Sequence, residues 1–204
     1  MTTDTGTPTS HLATITAGQL DAVLRPLADL LDTIPAGQAS APTPCTDYDV
    51  AALRAHVVGW LTAFTDGYTS ASGQCSDPDA VTVAGAGGDQ VRALADRLTT
   101  ALPAAVERPL RIGGSAMPGD MALQMILWEY QVHGWDLAAA TGQTWRPDRA
   151  GLETSLEFAP GMLTPDFQGA GKPFAPQVEV TSDATPLDRL LGLSGRDPQW
   201  SANA

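Results

Sequence analysis

Apolar positions along this chain recur three and four residues apart far more often than they alternate, a pattern that predicts helices. Leu20, Val23, Leu24, Leu27, Leu30 and Leu31 form the first stripe, with Thr16 as its N-cap. Pro26 lies inside that stripe and is expected to kink the helix or mark its true start. Asp49 caps a second helix that carries Val50, Leu53, Val57, Trp60, Leu61 and Phe64. A third runs from about Asp89 to Leu102. The segment from Asp120 to Ala140 lacks proline, has Gly134 as its one glycine, and is apolar on most sides, which places it centrally in the fold. Thr141-Gly142 ends it, and a fifth helix runs from near Asp148 to about Leu163.

Between these stripes the texture changes. Residues 1–14, rich in Thr, Ser and Pro, read as a flexible leader. Residues 67–88 form a long Gly/Ser/Asp/Pro loop. After about residue 165 the chain becomes rich in Pro and Gly, with one strand-like run, Val178-Glu179-Val180. A last short helix then starts at Pro186 and carries Leu187, Leu190 and Leu191. The expected organisation is a leader over 1–14, a helical domain over 15–165, and a C-terminal tail over 166–204 packed on that domain.

Composition narrows the function. Of 204 residues, 43% are hydrophobic, enough for a sizeable core. Acidic residues outnumber basic ones 23 to 11, for a formal charge of −12. Such a surface repels phosphate backbones and anionic headgroups, so neither nucleic acid nor membrane is an expected partner. No apolar run approaches the roughly 20 residues a bilayer requires, and the N-terminus lacks the basic-then-apolar layout of a secretory signal. Two cysteines, Cys45 and Cys75, do not make a disulfide framework, so the expected compartment is the cytoplasm. The expected partner is a small-molecule substrate, and the chain a monomer or homodimer.

Candidate chemistry rests on three polar residues at apolar positions. Of the three histidines, His11 falls in the leader. His56 shares a helix face with Leu53, Trp60 and Phe64, and His133 sits in the most apolar helix. Glu129 precedes His133 by four residues, one turn away on the same face. Burying an imidazole or a carboxylate costs free energy unless each finds a partner. One divalent cation would satisfy all three, and two histidines with one carboxylate leave coordination positions open. Residue types alone leave a second reading: a hydrogen-bonded core histidine and an ordinary i,i+4 pair. Neither His-Glu-x-x-His nor the Glu-x-x-His repeat of di-iron proteins is present. Asp136, three residues past His133, either orients a ligand histidine or packs against the loop around Asp47.

Other residues carry weaker expectations. Trp60, Trp128 and Trp135 read as core, Tyr130 as turned away from the Glu129 face, and Cys45 as a partly buried structural thiol. Arg54 and Arg111 are candidates for receiving a carboxylate. Gly113-Gly114 reads as a loop hinge, since no Lys-Ser/Thr follows to make a phosphate cradle.

Two stretches carry a family resemblance. PTPCTDYDVAALRAHVVGW (42–60) resembles the opening motif of the mycothiol-dependent maleylpyruvate isomerase family, and ILWEYQVHGWDLAAATGQ (126–143) resembles its second motif, Glu-x-x-x-His-Gly-Trp-Asp-Leu-Ala. The closing APQVEVTSDATPLDRLLGLSGRDPQW is similar to shorter, single-domain members known as metal-binding. The resemblance implies an all-α, DinB-like up-down four-helix bundle, with an extra short C-terminal helix and a loop-rich tail. It implies that His56, Glu129 and His133 match the family's metal ligands. It also implies a low-molecular-weight thiol such as mycothiol as cosubstrate, for S-transfer or thiol-assisted isomerisation. The metal is Zn²⁺ by default, and the donor set also suits Fe²⁺ or Ni²⁺. The two-domain isomerases carry a further C-terminal domain that contributes to the active site; the tail here has no obvious equivalent, which argues against maleylpyruvate isomerisation itself. A metal-assisted cyclisation, elimination or hydrolysis stays open, as does a module that binds metal or a small molecule without turnover. The 67–88 loop and the tail are the expected covers of the pocket.

Overall fold

The computed structural model describes residues 15–202. The leader expected over 1–14 lies outside the described residues. Within them are six α-helices and one two-stranded hairpin. The helices are α1 (Ala17–Thr33), α2 (Val50–Thr69), α3 (Gly88–Ala105), α4 (Gly119–Thr141), α5 (Arg149–Met162) and α6 (Pro186–Leu193). Four of the six starts carry a side-chain cap. Thr16 caps α1 with a reciprocal bond to Gln19, Asp49 accepts from the Ala52 amide, Asp148 from Gly151, and Thr185 from Asp188 with Pro186 following. Gly142, at φ 69°, takes the left-handed turn that ends α4.

Three prolines inside helices do not stop them. Pro26 in α1, Pro103 in α3 and Pro160 in α5 are all exposed, so water can reach the carbonyl each ring leaves without a donor. Two further expectations change. Residues 178–180 form no strand; the Val178 amide donates to the Gly192 carbonyl, but no ladder follows. The connector before α4 is an antiparallel hairpin of β1 (Leu110–Ile112) and β2 (Ser115–Met117), turned by Gly113 at φ 57° and Gly114.

Four helices share the main core: α1 packs on α3 and α4, and α2 packs on the same two. The connections from α1 to α2 and from α3 to α4 therefore join helices that are not main packing neighbours. Leu20, Leu24, Leu27, Leu31, Leu53, Leu61, Leu98, Leu123 and Ile126 fill this core and are fully buried. A second cluster forms on the other side of α4, where Trp128 and Val132 meet Leu152, Phe158 and Ala159 of α5 and Leu190 and Leu191 of α6. Two cores explain why α4 is apolar on most sides. The second core also ties the C-terminal tail to the face of α4 that carries the site. No helix of the described residues is long and apolar enough to cross a membrane.

Candidate metal centre

The Asp49 cap fixes where α2 begins, and His56 follows two turns later, its ring 4.8 Å from the Tyr48 ring and 6.4 Å from Trp60, centre to centre. On α4, Glu129 and His133 lie one turn apart, with His133 Nε2 3.1 Å from Glu129 Oε2. The His56 and His133 rings approach edge to face at 5.2 Å. His133 thus touches each of the other two, and all three line one cavity, but their ligand atoms do not all lie within 4.8 Å of one another.

Behind His133 the arrangement continues. Its Nδ1 is 3.0 Å from Oδ2 of Asp136, which is fully buried. Asp136 accepts from Arg196 twice, Nη2 at 3.1 Å and Nε at 3.3 Å. Arg196 comes from the tail and donates its Nη1 to the Ser194 carbonyl at 2.9 Å. Ser194 Oγ in turn accepts from Trp128 Nε1 at 2.9 Å. Asp136 thus binds His133 and the tail, with the Cys45 sulfur of the loop before α2 within 4.8 Å. Arg196 went unnoticed in the sequence; the signal available was the one basic residue of the closing SGRDPQW, sixty residues from its partner.

Electrostatics separates the two imidazoles. Burial, then the neighbouring His133 charge, lowers the pKa of His56 from 6.5 to about 4, so its ring is neutral with a free lone pair at pH 7. Burial also disfavours charge on His133, but the hydrogen bonds to Asp136 and Glu129 outweigh it and raise its pKa to about 9. Burial works against the Arg196 charge as well, and Asp136 more than offsets it. The Nε2–Oε2 separation of His133 and Glu129 suits a shared proton or a shared cation. Two donors each about 2.0–2.1 Å from a tetrahedral Zn²⁺ sit roughly 3.3 Å apart, close to that separation.

A second donor set exists. Cys45, His133 and Asp136 offer ligand atoms all within 4.8 Å of one another. That set uses the Nδ1 side of His133, where the Arg196 guanidinium already supplies positive charge to Asp136. Burial pushes the Cys45 thiol up to about 11, with Arg196 pulling the other way, so sulfur is a neutral thiol unless a metal displaces its proton.

The site opens into a cavity of about 400 Å³. Its walls are Pro44–Tyr48, α2, α4 and two tail segments, Pro173–Ala175 and Ser194–Arg196. The tail covers the pocket as expected from the sequence. The 67–88 loop contributes no lining residue; its Pro78–Ala80 turn packs on α2 instead. Trp60 and Trp128 line the cavity as well as packing, whereas Trp135 only packs. Tyr130 also lines it, with its hydroxyl donated to the Val57 carbonyl at 2.7 Å, joining α4 to α2. Neither Arg54 nor Arg111 lines the cavity; Arg111 lies in β1.

Comparisons with known proteins agree with the motifs. Two uncharacterized proteins of Mycobacterium tuberculosis, from strains CDC 1551 / Oshkosh and ATCC 25618 / H37Rv, are each 30% identical over 169 residues. The match covers 83% of this chain and 91% of each relative. No solved structure matches the chain. The model of the mycothiol maleylpyruvate isomerase N-terminal domain matches residues 20–138, a span that holds His56, Glu129, His133 and Asp136. The chain belongs to that family of mycothiol maleylpyruvate isomerase N-terminal domains.

Proposed function

We propose that this protein is a metal-dependent enzyme of the DinB-like four-helix type, holding Zn²⁺, or Fe²⁺ or Ni²⁺, through His56, Glu129 and His133. The cosubstrate is a small thiol such as mycothiol, and the reaction S-transfer or thiol-assisted isomerisation. The observation that carries this reading is the meeting of a neutral imidazole, a carboxylate and a second imidazole at the wall of one largely apolar cavity. When bound, a divalent ion lowers the pKa of a thiol or water that joins it, giving a nucleophile at neutral pH.

The chain's own residues prepare that site. Asp136 accepts a hydrogen bond from Nδ1 of His133, which leaves Nε2 facing Glu129 and the cavity, where a cation would replace its proton. Arg196 holds Asp136 in place and balances its charge. His56 stays unprotonated because it is desolvated. Trp60, Phe64, Trp128 and Phe174 keep bulk water from one side of the pocket. Tyr130 is committed to Val57 and so is not a general acid here. A thiol brings its own proton and nucleophile, which suits such a site.

Metal content by plasma emission tests the ligands. His56→Ala, Glu129→Ala and His133→Ala should each lose most bound metal, and Cys45→Ala should keep it. Retention by His133→Ala refutes both donor sets. Loss in Cys45→Ala with retention in His56→Ala and Glu129→Ala moves the metal to Cys45, His133 and Asp136. Thiol consumption by the loaded protein, run against a panel of electrophiles, tests turnover; none with any member leaves a binding module.

A further inference from the structure

The cavity wall is unusually one-sided in its chemistry. Tyr48, Trp60, Phe64, Trp128 and Phe174 bring aromatic rings from three separate segments of the chain, and Met125 and Val132 add aliphatic surface. Phe174 stacks on Trp128 with ring centres 5.1 Å apart, and Trp60 lies 5.5 Å from Phe64. Trp60 and Phe174 line the cavity and remain partly exposed. The volume of about 400 Å³ equals that of a dozen or so waters at about 30 Å³ each, room for a ring with a short substituent.

The charges on that wall point the same way. Asp47 and Glu129 line the cavity, and Arg196 is its one cationic side chain apart from histidine. Three Arg196 N–H groups already serve Asp136 and the Ser194 carbonyl. The chain's one lysine, Lys172, is exposed and does not line the cavity, and residues 1–14 and 203–204 contain no Arg or Lys. Asp136, buried behind the wall, balances Arg196, and a divalent ion on His56, Glu129 and His133 would balance Asp47 and Glu129, so the site is left with no net positive charge. A carboxylate substrate would therefore enter a desolvated pocket with no spare positive charge to meet it.

We infer that the molecule this pocket accepts beside the thiol is uncharged and carries a flat apolar group that lies against Phe174, Trp128 and Trp60. The inference rests on the proposed metal site for its role in chemistry, but the ring wall exists without it. Discrimination comes from both sides, since the rings favour a neutral aromatic group and the carboxylates disfavour an anion.

Matched probe pairs test this on the full chain: benzamide against benzoate, and dimethyl maleate against maleate. Binding is followed by tryptophan fluorescence and confirmed by saturation-transfer NMR, with metal-loaded and chelator-stripped protein in parallel. The neutral member of each pair should bind at least tenfold more tightly in both forms. Phe174→Ala should weaken benzamide about fivefold or more without changing bound metal. If that variant loses the helical signal of the tail, Trp60→Ala is read in its place, with the same expected loss for benzamide. Equal or tighter binding of the anions, an unchanged benzamide affinity in the readable variant, or no saturable binding of either neutral probe overturns the inference. Failure of the metal site shows separately, as absent metal in the loaded sample; the stripped protein then still decides the preference of the pocket.

Discussion

Arg196→Ala isolates the part of the site that lies furthest from the reacting atoms. Asp136 has no exposed surface and Arg196 is 9% exposed, so this ion pair is in the buried class. Removing one partner of a buried pair leaves an uncompensated charge and costs about 3–5 kcal/mol. For a chain of this size each kcal/mol lowers Tm by roughly 2–4 °C, so the expected fall is about 6–20 °C. The Arg149–Glu153 pair supplies a control. Its contact is shorter, 2.8 Å against 3.1 Å, but its side chains are 83% and 55% exposed, and Arg149→Ala should leave Tm unchanged within error. Asp136→Asn combined with Arg196→Met removes both charges and keeps an acceptor for His133 Nδ1, so it should regain most of the stability that Arg196→Ala loses. It should not regain metal affinity, which falls roughly 10–100-fold once the carboxylate behind a ligand histidine is gone. Calorimetry and competition with a chelator read the two quantities. A loss under about 1 kcal/mol in Arg196→Ala, or a double variant as unstable as the single one, would refute the buried-charge argument.

The pH profile of the chelator-stripped protein carries two opposed signatures. His133, raised to about 9, binds its proton more tightly in the fold, so its contribution is complete below about pH 6.5 and is lost as pH rises through 9. His56, lowered to about 4, contributes fully above about pH 6.5 and loses that contribution as pH falls through 4. Thermal melts from pH 4 to 9.5 should peak near 6.5 without metal; added Zn²⁺ should raise the alkaline side, and a flat profile contradicts both shifts. Gly134→Ala would drive a methyl group into the Trp145 ring, whose Nε1 is bonded to the Gln131 carbonyl at 2.9 Å. Overpacking there should cost about 1–3 kcal/mol in a denaturant titration, and an unchanged midpoint would mean that the ring moves freely.

Legibility in the sequence followed the range of the interaction. Helices and caps are local, and Thr16, Asp49, Thr141-Gly142 and Pro186 mark their ends in the letters themselves. Glu129 and His133 were legible because one turn of helix joins them, and their apolar setting made them costly without a partner. Pro26 does not mark the start of α1, because it faces water, which is a property of packing that nothing local states. The hairpin before α4 was missed because strands of three residues are too short to show alternation. The cover of the pocket was half legible: both Gly/Pro-rich stretches looked suited to it, and only the second core, through Leu190 and Leu191, decides that the tail lies there. Arg196 was invisible for the same reason, since its meaning depends on a contact across sixty residues.

Among the described residues, His133, Asp136 and Arg196 are the only buried side chains of the charged types, in a chain with 34 acidic and basic residues. Apolar side chains of similar volume would serve stability as well or better at those positions. Three such groups in one unbroken line therefore mark a requirement other than folding. The line has a direction. It starts at Arg196 in the tail, passes through Asp136 and His133, and ends at Glu129, which is 25% exposed at the cavity. Positive charge is fixed at the buried end and a carboxylate stands at the open end, beside the lone pair of a neutral His56. A cation on the Glu129 side of His133 has the carboxylate and the His56 ring beside it, whereas one on the Asp136 side would sit against the guanidinium. That arrangement favours Nε2 of His133 over its Nδ1 as the metal-facing atom of the proposed site, to which the tail would contribute through Asp136 without supplying a ligand.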